Sequence, residues 1–170
     1  MTYKKAPPFT VIKDTREQDG YTFLKEKTSG FECLGMINKK LDTGDYSLLG
    51  FEDKICIERK ASVPELATNL GKDKFRFLEE IKRMKCFPHK FIILEFSLED
   101  VLNFPNGSGI PEEHIDSIKV SNKYMLKMLM ELQLYDNIHV LFCGNRKSAK
   151  FATTSILKRI NEMYTIGRKM

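Results

Sequence analysis

Residues 41–60, LDTGDYSLLGFEDKICIERK, decide how this chain folds. They read as two short strands joined by a turn over 50–53, where Gly50 and Asp53 bracket the reversal. Gly44 and Asp45 open the first strand, and Glu58, Arg59 and Lys60 close the second. Strand side chains alternate between faces. Ile55, Ile57 and Arg59 therefore share one face, and Cys56, Glu58 and Lys60 share the other. Closure of the hairpin brings Asp45 near Glu58. Two carboxylates and a lysine at a strand end suit metal-dependent phosphodiester cleavage. Carboxylates hold a hard cation through oxygen. The cation and the lysine lower the cost of making hydroxide and of the charge that develops on phosphorus.

Working outward, residues 9–14 form a β-branched, apolar strand ending in Asp14, and 15–20 turn the chain. Residues 21–30 carry no clear period and are compatible with a short helix. Residues 31–38 read as a further strand, so a four-stranded meander precedes the helices. Beyond the hairpin, Ser62 is a candidate N-cap, Pro64 suits the first helical turn and Gly71 is a stop signal. A second amphipathic helix spans 73–85, with Phe75, Leu78 and Ile81 on its apolar face. Lys72, Arg76 and Arg83 recur on another face, as a solvated surface or as a row of phosphate contacts. Residues 90–96 are a nearly continuous apolar run, the pattern of a strand buried on both faces, with Glu95 near its end. Residues 103–110, NFPNGSGI, are loop chemistry.

Residues 111–134 read as mainly helical with a break near Ser121. The second half, from Tyr124 through Met125, Met128 and Met130 to Leu134, is apolar on more than one face. Such a helix is buried between layers or meets a partner chain. A buried strand over 138–142 and a final helix from Ser148 to Tyr164 follow, with Ala149, Ala152, Ile156, Ile160 and Met163 at helical spacing. The order predicts an α/β fold, a central mixed sheet flanked by helices, in a single domain over 1–170.

Composition narrows the classes. Of 170 residues 42% are hydrophobic and 30% charged, as expected of a globular protein with its own core. A net charge of +5 permits a polyanionic partner without demanding one. Cys33, Cys56, Cys86 and Cys143 form no C-x-x-C pair and mostly sit in apolar stretches, which predicts buried free thiols. No signal-peptide pattern opens the chain, and no stretch approaches the ~20 apolar residues of a membrane span. The expected setting is intracellular and reducing, cytoplasm or nucleus, with no membrane partner. His89, His114 and His139 are isolated, and no nucleotide-binding Walker loop occurs.

Three motifs in register carry a resemblance. Val11-Ile-Lys-Asp14-Thr-Arg16-Glu17, then Gly44-Asp45-Tyr46, then Glu58-Arg59-Lys60, resemble the nuclease domain of the XPF family of structure-specific DNA endonucleases. The family pattern is V-x-D-x-R-E, G-D-Y and E-R-K, and it is clearest here over residues 11–95. The resemblance implies a restriction-endonuclease-like core and Mg²⁺ or Mn²⁺ as cofactor. It also implies DNA as partner, branched or at a single-strand/duplex junction, in repair, recombination or replication, and a homodimer or heterodimer. By it, Asp45 and Glu58 are metal ligands, and Asp14 and Glu17 complete the acidic cluster. Lys60 positions the attacking water, or else pairs with Glu58. Arg16 and Arg59 brace the carboxylates or touch phosphate, and Lys72, Arg76 and Arg83 extend the DNA surface.

The chain departs from the family pattern in two places. Acidic residues commonly stand three and four positions after the lysine, where this chain has Val63 and Pro64, with Glu65 next. The glycine-rich turns of a tandem helix-hairpin-helix module are also missing, since only Gly144 and Gly167 follow Gly109. Contacts limited to phosphates carry no sequence information. The expected cleavage therefore lacks sequence preference and favours branched DNA only modestly. The competing readings are a silent DNA-binding scaffold and a junction-resolvase-like nuclease of the same fold.

Overall fold

The structure is a computed structural model and describes residues 6–28 and 31–167. Seven strands form one mixed sheet in the order β2-β3-β1-β4-β5-β6-β7. They are β1 (Phe9–Lys13), β2 (Lys25–Thr28), β3 (Phe31–Asn38), β4 (Tyr46–Leu48), β5 (Ile55–Lys60), β6 (His89–Leu94) and β7 (His139–Phe142). β1 runs parallel to β3 and antiparallel to β4, β4 and β5 make the antiparallel hairpin, and β6 and β7 run parallel to β5.

The first sixty residues thus hold five strands, and they are not a simple meander. β1 is inserted between β3 and β4, and its apolar side chains on opposite faces, Val11 and Ile12, are both fully buried. In place of the expected short helix, residues 25–28 form β2, an edge strand with every residue exposed. Its Lys-Glu-Lys-Thr pattern lacks an apolar face, and pairing with β3 is what makes it a strand. Lysines on such an edge discourage pairing with other chains. Residues 29 and 30 of that stretch lie outside the described residues.

Helices α1 (Val63–Leu70), α2 (Lys74–Met84), α3 (Leu98–Asn103), α4 (Glu112–Ile115), α5 (Asn122–Leu134) and α6 (Arg146–Ile166) complete the fold. α1, α2, α3 and α5 cover one face of the sheet around Leu66, Phe77, Ile92, Val101 and Met125. α6 covers the other around Val11, Tyr46, Ile57, Ile93 and Leu157. β6 is buried on both sides as its apolar run predicts, since Ile92 and Leu94 enter one cluster and Ile93 the other.

The start of α1 follows the sequence: Ser62 accepts from Glu65 N, proline sits in the first turn and Gly71 is the C-cap. α2 is rotated from the expected face. Phe77, Ile81 and Met84 point inward, while Phe75 is 79% exposed and Leu78 is 41% exposed. Both triads fit a helical period, and contact with the sheet and α1 selects the first. α5 buries Met125, Leu129 and Leu132, capped by Ser121. α6 buries Ala149 and Ile160 as expected, but adds Thr153, Leu157 and Asn161 and leaves Met163 exposed. The cysteines divide: Cys33 and Cys56 are buried, Cys143 is half-buried and Cys86 is exposed.

The pairing directions bring the carboxyl ends of β1, β5, β6 and β7 to one edge of the sheet, together with the amino end of β4. Open α/β sheets bind ligands at such an edge. Among the described residues no helix is long and apolar enough to cross a membrane.

Candidate active site

Gly44 sets the geometry of the hairpin. Its φ is +81°, and a Cβ there would stand 2.6 Å from Cys56 Sγ and 3.1 Å from Ile57 O. Only glycine lets the chain press onto β5 in this conformation. Asp45 follows and is fixed by its backbone: its N–H donates to Ile57 O (2.8 Å), and its carbonyl accepts from Asp14 N (2.8 Å). Its Oδ2 accepts from Arg59 N (2.7 Å). The aspartate is half-buried, held at the sheet edge with one side open.

Alternation along β5 then sorts the E-R-K triplet. Glu58 and Lys60 follow Cys56 onto the α1/α2 face, each about 95% buried, with Lys60 Nζ donating to Glu58 Oε1 at 2.7 Å. Lys60 Nζ also lies 5.5 Å from the Phe77 ring centroid, a cation–π contact from α2. Glu80, also on α2, stands near enough to Glu58 to disfavour a second negative charge there. Burial raises the Asp45 pKa well above the ordinary carboxylate range, and Glu58 nearby raises it further, more than the Arg59 amide lowers it. Burial likewise lifts Glu58, to about 8; Lys60 opposes the shift and Glu80 adds to it. Burial alone would lower Lys60, but Glu58 and Glu80 more than offset it and the pKa is raised. This pocket therefore holds more carboxylate than one ammonium balances.

Arg59 faces the opposite way. It is 6% exposed and donates from Nε to Glu95 (2.7 Å), from Nη1 to Glu17 (3.2 Å) and from Nη2 to Asp19 (3.4 Å). Arg146 at the start of α6 also reaches Asp19, through a 3.3 Å contact, and stands 3.5 Å from Glu95. Of the expected alternatives for Arg59, the geometry is that of a brace, since its guanidinium is spent on carboxylates. Asp14 is spent too. It is 1% exposed, and its oxygens accept from Arg16 N, Nε and Nη2 and from Leu41 N, at 2.6 to 3.1 Å. Arg16 Nη2 also reaches Leu41 O (2.8 Å), so this pair clamps the β1 exit to the hairpin entrance.

The family match lies over these same residues. A family model described as the ERCC4 domain matches residues 14–154, a span that contains Asp14, Asp45, Glu58 and Lys60. The chain belongs to the ERCC4 domain family. Among solved structures it is similar to XPF from Aeropyrum pernix, with a TM-score of 0.59 and 19% identity over 95% of this chain and 64% of that one. It is also similar to XPF from Aeropyrum pernix in complex with DNA, with a TM-score of 0.56 and 20% identity over 92% of this chain and 66% of that one. The chain thus spans just under two thirds of the structures it matches, and the likeness shows that the fold is the XPF nuclease, restriction-endonuclease-like one. No curated protein matches it.

In this ERCC4 domain the four-carboxylate set expected from the sequence is not gathered into one cage. Asp14 is consumed by Arg16 and Leu41. Glu17 accepts from Arg59 and from Asp19 N (3.0 Å) on the other side of β5, although it still raises the Asp45 pKa. Among the described residues no three potential ligands stand in ready coordination geometry. The donors that remain, Asp45 and Glu58, suit Mg²⁺, which is commonly held by one or two carboxylates and keeps several waters. Their upward-shifted pKa values fit as well, since such a pair gains most from a cation.

Sequence reasoning missed Glu80. It stands four residues after Arg76 and three before Arg83, so the i, i+4 rule puts it on the stripe with those arginines. That spacing is present in the sequence, but apolar residues on two sides of the helix leave open which polar stripe borders the sheet. After E-R-K, where the family pattern has acidic residues at the positions of Val63 and Pro64, Glu65 Oε2 accepts from Ala61 N (2.8 Å) at the start of α1. Lys72, Arg76 and Arg83 are all exposed, and none makes an ion pair among the described residues.

Proposed function

We propose that this ERCC4 domain is a metal-dependent DNA endonuclease that cuts phosphodiester bonds near branches or single-strand/duplex junctions. The observation that carries this reading is the convergence of Asp45, Glu58 and Lys60 at the carboxyl end of β5, with carboxylate charge in excess. Asp45 and Glu58 would hold the Mg²⁺ or Mn²⁺, which supplies Lewis-acid activation of water and charge neutralisation at phosphate. Lys60 lies beside them in a dry pocket, where an ammonium stabilises developing negative charge far better than in water. Arg59 holds the Asp45 carboxylate through its backbone N–H and keeps Glu17 and Glu95 neutralised behind the site.

The free cations of α2, with Lys72 just before it, extend from Glu80 and provide the DNA-facing side. Their contact is with phosphate, so affinity is expected to be weak and salt-sensitive. The complex of Aeropyrum pernix XPF with DNA supports DNA as the partner. The deciding experiment is the purified chain with Mg²⁺ on end-labelled flap, fork, four-way junction and plain duplex. Cleavage that stops on chelation supports the reading. DNA binding without cleavage in either Mg²⁺ or Mn²⁺ would leave the scaffold reading instead.

Pairing of two copies forms part of the proposal. α5 leaves Met130 and Leu134 outside the core, with Tyr135 77% exposed beside them. The edge strand β7 adds Leu141, which is 37% exposed. Light scattering at rising concentration tests it, and a monomer throughout would reject it.

A further inference from the structure

A cleft of about 240 Å³ opens beside the site, between the start of α1 and the loop after α3. One wall begins at Ala61, directly after Lys60, and continues through Val63 and Pro64. Phe96, one residue beyond Glu95, lines it from the end of β6. The far side is Asn103 and Asn106. The cleft thus lies outside the carboxyl ends of two adjacent parallel strands, β5 and β6, on the edge that carries Asp45 and Glu58.

Its chemistry argues against a phosphate. No lysine or arginine is among its lining residues, and the one charged group is the Asp100 carboxylate. That carboxylate is held at the start of α3 by Ser97 N and Ser97 Oγ, both at 2.7 Å, and its negative charge would repel an anion. A neutral planar group is better matched. Val63, Pro64 and Phe96 supply apolar surface. Asn103 and Asn106 are exposed, and their side-chain amides have no hydrogen-bond partner among the described residues. Each amide offers two donors and an acceptor, the complement of a base edge. The volume is below the roughly 300 Å³ at which drug-sized pockets begin, so it admits one heterocycle and not a base pair.

Resting on the endonuclease reading above, we infer that this cleft receives a single unpaired nucleobase of the DNA strand next to the scissile phosphate. Duplex DNA cannot fill it without opening a pair, and a branch point presents such a base at no cost. The domain would then sense a junction through this cleft, while the cations of α2 hold phosphates without regard to structure.

The test uses the intact chain and a duplex with a short unpaired branch. The nucleotide nearest the junction is normal, abasic or 2-aminopurine. In Mg²⁺ the normal substrate should be cut about fivefold faster than the abasic one, the effect of stacking one base. In Asn103→Ala/Asn106→Ala that ratio should fall toward one. In EDTA, 2-aminopurine emission should change on binding the wild-type chain and change much less with the double variant. Equal rates on normal and abasic DNA, or an emission change that persists in the variant, would overturn the inference while leaving the nuclease intact. If the wild type cuts none of the substrates, the endonuclease reading fails, and the 2-aminopurine binding result still decides the cleft.

Discussion

The two faces of β5 receive the same motif and treat it in opposite ways. On the α1/α2 face, Glu58 and Lys60 share a pocket with Glu80, and carboxylate outnumbers ammonium. On the α6 face, Arg59 meets Glu17, Asp19 and Glu95, and Arg146 adds a second guanidinium. The first arrangement is electrostatically unfinished and gains from a cation. The second is closed: its two buried carboxylates, Glu17 and Glu95, meet two guanidiniums, and its third, Asp19, is 85% exposed to solvent. The E-R-K strand of this chain therefore has an open face and a braced face, and alternation alone sorts its three side chains between them.

The closed side should respond most to damage. Arg59→Ala leaves Glu17, 90% buried, without a guanidinium, and Glu95 with only Arg146 at 3.5 Å. Removing one partner of a buried pair costs about 3–5 kcal/mol, so denaturant unfolding should show a loss of that order or failure to fold. An Arg59→Ala protein of wild-type stability would erase the distinction between the faces.

On the open side the change should fall on activity. Asp45→Asn and Glu58→Gln keep the shape of the carboxylates and remove their charge. Each should lower cleavage by about a hundredfold or more, the scale of losing a transition-state stabiliser. Folding, followed by circular dichroism, should persist in both. Full activity in either would sink the site assignment.

The pH response should separate the carboxylates. Glu58 has a folded pKa near 8, above its ordinary value of 4.5, so the native state binds more protons than the unfolded chain between those limits. Stability of the metal-free protein should therefore decline as pH rises from about 4.5 toward 8. Mn²⁺ should restore more of the melting temperature at pH 8 than at pH 6, and Glu80→Gln should shrink the decline. Asp14 behaves in reverse: burial raises its pKa, but Arg16 and the Leu41 amide outweigh burial and lower it. Its stabilising contribution is present above its ordinary value of 3.8 and is lost as pH falls through the lower folded value. A melting temperature in EDTA that rises steadily from pH 5.5 to 8.5 would contradict the Glu58 assignment.

The smallest effect should come from α2. Arg76→Ala removes one exposed cation on the stripe of Glu80. Binding should weaken about equally for all DNA structures, and the log–log salt slope should flatten by about one. A loss confined to branched DNA would move Arg76 from phosphate contact to junction sensing.

Periodicity and turn chemistry made much of this legible in advance. The hairpin, the sorting of Glu58 and Lys60 from Arg59, the α1 caps and the doubly buried β6 follow from local rules, because period and capping act over a few residues. The insertion of β1 between β3 and β4 did not follow, nor did β2, whose exposed Lys-Glu-Lys-Thr has no apolar pattern to read. α3 was missed although Ser97 and Asp100 form a capping box, because a six-residue helix has almost no period. The inward face of α2 was ambiguous in the same way, with apolar residues on two sides.

By itself the sequence determined which side chains are candidates for the chemistry and which of them share a face of one strand. Alternation and glycine stereochemistry are properties of the local backbone. Only the tertiary structure decided which carboxylates remain available. Asp14 and Glu17 look like ligands in one dimension, and in three they are consumed by Arg16, Leu41 and Arg59. Glu80 looks like a surface residue and joins Glu58 because α2 lies across that end of the sheet. The physical reason is that a carboxylate's role depends on its burial and on the donors around it, and both are set by contacts between residues far apart in the chain.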